Sequence, residues 1–73
     1  MINVALLGFG RIGQMHAQNI YLNKTLNLLY VYEKIDKLRK KAENLYNCRI
    51  ETNYKKIFSD KSVDIIFISS PTN

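Results

Sequence analysis

Ile2-Asn3-Val4-Ala5-Leu6-Leu7-Gly8-Phe9-Gly10-Arg11-Ile12-Gly13 is the stretch whose reading decides the fold. Six residues, mostly apolar, run directly into Gly-x-Gly-x-x-Gly, and a helical pattern starts at once behind it. This is the sequence of a strand, a tight turn and a helix N-terminus, the phosphate turn of a dinucleotide-binding βαβ unit. Gly8 lets the chain turn off the strand with a backbone angle that a β-carbon resists. Gly10 lets the backbone approach a pyrophosphate, and Gly13 lets the new helix lie close to its strand. The helix then aims its free N–H groups and the positive end of its dipole at an anion.

Working outward, Ile2–Leu7 is apolar on both faces, as a central parallel strand must be. The first helix is expected from Arg11 to about Leu22, with Gly13, Ala17 and Ile20 on its inner side. Asn23-Lys24-Thr25 is a polar turn, and Leu28–Tyr32 a second strand rich in bulky aliphatic and aromatic residues. Asp36 reads as the N-cap of a helix to about Tyr46, whose inner positions are Leu38, Ala42 and Leu45 and which Asn47 closes in a left-handed conformation. A short third strand covers Cys48–Glu51, and a brief helix Asn53 to about Asp60, with Tyr54, Ile57 and Phe58 inward. Val63–Ser69 is the fourth strand, stopped by Ser70-Pro71-Thr72. The order βαβαβαβ predicts an α/β fold, a partial Rossmann-type parallel sheet with right-handed crossovers and strand order 3-2-1-4.

The chain has 73 residues, 47% of them hydrophobic and 23% charged, which describes a globular piece and not a disordered tail. A domain of this size buries only about 60% of the surface its unfolded chain exposes. A full dinucleotide domain runs to roughly twice this length, so the chain is expected to be the N-terminal part of one, ending before a fifth strand. Its formal charge is +5 and its pI about 9.5. Lys34, Lys37, Arg39, Lys40 and Lys41 account for much of this and are read as the solvated face of the second helix. The single cysteine, Cys48, excludes an intrachain disulfide and suits a reducing cytoplasm. Glycines break the first apolar run early, no run approaches a membrane span, and no metal-ligand spacing occurs.

Glu33 is the second informative position. It ends the second strand, about twenty residues past the glycine turn, where a carboxylate accepts hydrogen bonds from both hydroxyls of an adenine ribose and repels a 2′-phosphate. That reading favours NAD over NADP, although the neighbouring cation Lys34 could tolerate the phosphate; the alternative is an exposed acid that merely opens a turn. Arg11, inside the glycine motif, either helps to hold the pyrophosphate or projects into solvent. His16, the only histidine, lies one turn into the helix behind the phosphate turn and is read as a packed helix residue. Ser69, Ser70, Pro71 and Thr72 follow the fourth strand, beside the point where the strand order reverses, and should border the ribose and diphosphate through backbone groups. The expected cofactor-binding set is therefore Gly8, Phe9, Gly10, Arg11, Ile12, Gly13, Glu33, Ser69, Ser70, Pro71 and Thr72.

Gly8-Phe9-Gly10-Arg11-Ile12-Gly13-Gln14-Met15-His16-Ala17-Gln18-Asn19-Ile20 is a glycine motif with an internal Arg-Ile, followed by His-Ala. Val63-Asp64, the apolar run to Ile68 and Ser69-Ser70-Pro71-Thr72-Asn73 supply a Val-Asp, apolar run, Pro-Thr segment. Together they resemble the N-terminal part of the glucose–fructose oxidoreductase/inositol dehydrogenase (Gfo/Idh/MocA) family, and Arg-Ile-Gly-x-x-His-Ala-x-Asn is most similar to inositol 2-dehydrogenases. The resemblance implies hydride transfer between NAD(P) and a hydroxyl-bearing carbon of a sugar or cyclitol, in a cytoplasmic homo-oligomer. It also implies a catalytic lysine in a Glu-Lys-Pro motif after the next strand, with Asp and His further on in an α/β substrate domain. No such position occurs in these 73 residues, so no catalytic residue is expected here and no turnover by the chain alone. The family's usual acid after the second strand is Asp, and Glu33 replaces it. A nucleotide-sensing module without chemistry would share the glycine turn and Glu33, and would lack a downstream Glu-Lys-Pro. A small basic nucleic-acid binder would need the five tyrosines exposed, whereas they fall mostly at strand and packing positions.

Overall fold

Val4 and Leu6 face one side of the first strand and Ala5 and Leu7 the other, and both sides pack against apolar neighbours. A strand with two apolar faces belongs inside a sheet. The computed structural model describes residues 1–69. Its elements are β1 (Ile2–Leu7), α1 (Arg11–Leu22), β2 (Leu26–Tyr32), α2 (Asp36–Leu45), β3 (Arg49–Glu51), α3 (Tyr54–Phe58) and β4 (Ile65–Ile68). The strands form one parallel sheet in the order β3-β2-β1-β4. The chain is thus a Rossmann-like α/β fold, with the strand order expected from its sequence.

The two faces of the sheet are unequally covered. On one, α1 and α2 close over Val4, Leu6, Phe9, Ala17, Ile20, Leu28, Val31 and Ala42. On the other, α3 contributes Ile57 to a smaller cluster with Ala5 and Tyr30. Burying a side chain the size of Leu or Phe is worth about 1.5–3 kcal/mol, so most of the cohesion lies on the face of α1 and α2. Ile66, Phe67 and Ile68 of β4 remain exposed, Ile68 to 65%. Among the described residues β4 pairs only with β1.

A bulge sets the direction of β2. Val4 stands opposite Leu28 and Ala5 opposite Tyr30, which leaves Leu29 as the extra residue. Leu29 and Tyr30 then both serve the α3 face, and Val31 returns to the face of α1 and α2. A one-residue shift in a period-two strand exchanges its faces, so strict alternation does not foresee this arrangement.

Several boundaries move from their expected places, each for a local reason. β2 starts at Leu26, because Ile2 pairs there and donates its N–H to the Thr25 carbonyl. Asp36 is the first residue of α2 and not its cap; Ile35 holds the cap position, and the Asp36 carboxylate turns to Arg39 and Lys40. α2 ends at Leu45 without a left-handed Asn47: Tyr46 turns extended and packs its ring against Phe9 and Tyr21. Leu45, expected inward, is exposed, as are Tyr54 and Phe58. α3 is shorter than expected, capped by the Asn53 side chain and ending before Asp60, which accepts hydrogen bonds from Tyr30 and Ser62 instead.

Candidate functional site

The carboxyl ends of β1, β2 and β4 come together at the glycine turn. Gly8 has φ +109°, a conformation that L side chains rarely adopt. A β-carbon there would also overlap the Ser69 carbonyl oxygen, since Ser69 donates its N–H to the Leu7 carbonyl and continues the β1–β4 ladder. A β-carbon on Gly13 would overlap the Gly8 carbonyl oxygen. The backbones of Ser69, Gly8 and Gly13 are therefore stacked in contact, and α1 is held directly against the end of the sheet.

Gly10 differs from both. Its backbone is ordinary extended chain (φ −74°, ψ −165°), and nothing lies within 4 Å of where a β-carbon would sit. That open space faces a cleft of about 740 Å³. The first turn of α1 borders it through Arg11 and Ile12; this turn carries no acidic residue, and no side chain caps it. Its N–H groups have no intrahelical partners, so they and the helix dipole are directed to an anion. Across the cleft stand Glu33, Lys34, Ile35 and Leu38, with Leu7, Tyr32, Ile68, Gly8 and Ser69 forming its floor. The cleft thus combines donors for a diphosphate, a carboxylate acceptor and apolar walls. This donor set, with a cradle that a β-carbon would fill, fits the adenosine diphosphate part of a dinucleotide.

Glu33, expected to end the second strand and face a ribose, is also built into the glycine turn. Its Oε1 accepts from the Phe9 N–H at 2.7 Å and its Oε2 from the Ile35 N–H at 3.0 Å. Each carboxylate oxygen has a further lone pair, so the group can hold the loop and still face a hydroxyl in the cleft.

Of the expected set, Gly8, Gly10, Arg11, Ile12, Glu33 and Ser69 line the cleft. Phe9 and Gly13 do not. The Phe9 side chain is wholly buried against the α1/α2 face, and only its backbone serves the site, donating to Glu33 and accepting from Gln14. Gly13 acts through close packing. Ser70, Pro71 and Thr72 lie outside the described residues. Lys34 lines the cleft beside Glu33, and Ile35 and Leu38, which were not anticipated as cleft residues, follow within the next turn of chain. Arg39 needs correction: it is no part of a solvated face, because its guanidinium turns back onto the carbonyls of Glu33 and Lys34.

Other reactive groups serve the fold. His16 packs on Phe67 with ring centroids 4.6 Å apart, outside the cleft lining, as expected of a helix histidine. Burial pushes the Cys48 thiol up to about 11, which keeps it protonated at neutral pH. Asp60 is held down to about 2, first by the Ser62 hydroxyl and then by the Tyr30 hydroxyl, with the Ser62 N–H and the Arg49 charge assisting. Among the described residues no three His, Cys, Asp or Glu side chains gather as a metal site, and no helix is long and apolar enough to cross a membrane.

A family model described as an oxidoreductase family with an NAD-binding Rossmann fold matches residues 2–73. Among solved structures, a protein assigned as a myo-inositol dehydrogenase from Sinorhizobium meliloti 1021 is 28% identical with a TM-score of 0.90, over 99% of this chain and 22% of that one. A myo-inositol dehydrogenase from Corynebacterium glutamicum is 30% identical with a TM-score of 0.85, over 97% of this chain and 21% of that one. The scyllo-inositol dehydrogenase of Lactobacillus casei, solved with NAD(H) and scyllo-inositol, is 22% identical with a TM-score of 0.87, over 97% and 22%. The chain thus spans about a fifth of the length of these structures. Among curated proteins, none matches this chain.

Proposed function

The chain belongs to the Gfo/Idh/MocA oxidoreductase family, and from that premise we propose that residues 1–73 are the N-terminal part of the cofactor-binding domain of a larger, cytoplasmic dehydrogenase. Its substrate is a sugar or cyclitol hydroxyl, as in the inositol dehydrogenases, its cofactor is NAD in preference to NADP, and the whole enzyme is a homo-oligomer. Neither nucleic acid nor a membrane is a partner.

The observation that carries this reading is the open side of Gly10 facing Glu33 across one cleft. The first turn of α1 holds the diphosphate, with Arg11 adding charge. Glu33 accepts from the adenine ribose hydroxyls, and its charge opposes a 2′-phosphate. Ile35 and Leu38 give the adenine an apolar wall, and Ser69 approaches through its backbone, followed by Ser70, Pro71 and Thr72. When bound, the nicotinamide supplies the acceptor for hydride; the groups that would handle the hydroxyl proton are not among these residues.

Calorimetry with NAD and NADP tests the cofactor assignment: NAD should bind more tightly, and a preference for NADP refutes the role of Glu33. The chain with NAD and myo-inositol should form no NADH; robust turnover refutes the assignment of catalysis to other residues.

A further inference from the structure

Arg39 lies one turn into α2 and does not line the cleft. It nevertheless makes more polar contacts to the cleft wall than any lysine around it. Its Nη1 donates to the Glu33 carbonyl at 3.0 Å and to the Lys34 carbonyl at 2.6 Å, and its Nη2 to Asp36 Oδ1 at 3.2 Å. Its side chain is 22% exposed, against 74% for Lys40, which pairs with the same aspartate.

The turn between β2 and α2 is consequently held from two sides. On one side, the Glu33 carboxylate accepts from the Ile35 and Phe9 N–H groups. On the other, the guanidinium of Arg39 takes the carbonyls of Glu33 and Lys34. Both sets are charge-assisted, and the guanidinium serves the two carbonyls through Nη1 while Nη2 holds Asp36. Glu33 is the one residue common to both sets: its carbonyl is fixed by Arg39 and its carboxylate by the loop.

We propose that Arg39 is a positioning residue that sets the cofactor preference by acting through Glu33. With the turn anchored at the Glu33 and Lys34 carbonyls, the Ile35 N–H stays placed to hold the Glu33 carboxylate together with the Phe9 N–H, where it accepts from a 2′-hydroxyl and repels a 2′-phosphate. Without Arg39, the Glu33 and Lys34 carbonyls turn to water and the turn loosens. NAD then loses an acceptor, while NADP is relieved of a repulsion. The inference rests on the reading of the cleft as an NAD site.

The test is calorimetry with NAD and NADP on the 73-residue chain and its Arg39→Met, Arg39→Lys and Glu33→Gln variants, each checked for fold by circular dichroism. Arg39→Met should lower NAD affinity by about tenfold and leave NADP affinity within about threefold of the unsubstituted chain's. The NAD/NADP ratio then approaches that of Glu33→Gln, and Arg39→Lys falls between. Amide exchange at Ile35 should quicken in the Arg39→Met chain without cofactor. An equal fall in both affinities, or an unchanged ratio, overturns the proposal, while a narrowed ratio in Glu33→Gln leaves the reading of the cleft standing. Should Arg39→Met fail to fold, Arg39→Lys decides, and a ratio equal to the unsubstituted chain's overturns the proposal. Absence of any NAD preference in the unsubstituted chain defeats the cleft reading and the proposal with it.

Discussion

Substituting alanine for each glycine of the turn in separate variants should give three different results, because the three positions differ in backbone angle and in neighbours. Gly10→Ala places a methyl group in open space on an extended backbone. The cost to the fold is that of Ala in place of Gly at a helix cap, about 0.5–1 kcal/mol. The methyl group occupies the approach path of the ligand, so NAD affinity should fall at least about tenfold, or 1.4 kcal/mol. Gly8→Ala combines a positive φ, about 1–3 kcal/mol, with overlap on the Ser69 carbonyl oxygen, about 1–3 kcal/mol more. The total of about 2–6 kcal/mol is a large share of the roughly 4–11 kcal/mol of stability that 73 residues typically provide, so this variant should be the least stable of the three. Gly13→Ala meets only the overlap with the Gly8 carbonyl and should be intermediate. Thermal melts followed by circular dichroism, with calorimetry on the folded variants, separate these effects. A folded Gly10→Ala that binds NAD normally would show that the cleft beside Gly10 does not receive the diphosphate. A Gly8→Ala chain as stable as Gly10→Ala would refute the account of the turn itself.

Two further outcomes concern the fold. The Asp60 carboxyl sits at about 2 in the folded chain, below its ordinary 3.8. A depressed folded value contributes stability above the unfolded value, so the contribution is complete above about pH 4 and lost as pH falls toward 2. Asp60→Asn should flatten the acid limb of the stability–pH curve in that window, and an unchanged limb would show that the Tyr30–Asp60–Ser62 contacts contribute nothing. The exposed apolar strand β4 should drive self-association of the 73-residue chain. Ile66→Lys should raise the monomer fraction in sedimentation velocity; an unchanged distribution would place the sticking surface elsewhere.

The fold was legible because its signals are local. The glycine spacing, the apolar β1 and the small inner residues Gly13 and Ala17 specify strand, turn and helix within a few residues of one another, and repetition of that pattern dictates a parallel sheet. The features that escaped are those decided by distant partners. The bulge at Leu29 depends on how β2 pairs with β1 and leaves no mark on the β2 pattern itself. Phe9 belongs by position to the glycine motif, but its side chain is claimed by the core through Tyr46, thirty-seven residues later. Arg39 looks like its lysine neighbours until the carbonyls of Glu33 and Lys34 are seen within its reach. Glu33 was legible as a strand-ending acid, whereas its bond to the Phe9 N–H required β1 and β2 side by side.

On the proposed reading, one cleft between the first turn of α1 and Glu33 receives the dinucleotide. Titrating NAD into isotope-labelled chain and following amide shifts by NMR tests it most directly. Perturbations should concentrate at Gly8, Gly10, Arg11, Ile12, Ile35 and Ser69. They should spare the smaller cavity of about 380 Å³ that Tyr21, Asn27 and Tyr46 line at the opposite end of the sheet. Shifts centred on that second cavity, or no shifts at millimolar NAD, would contradict it.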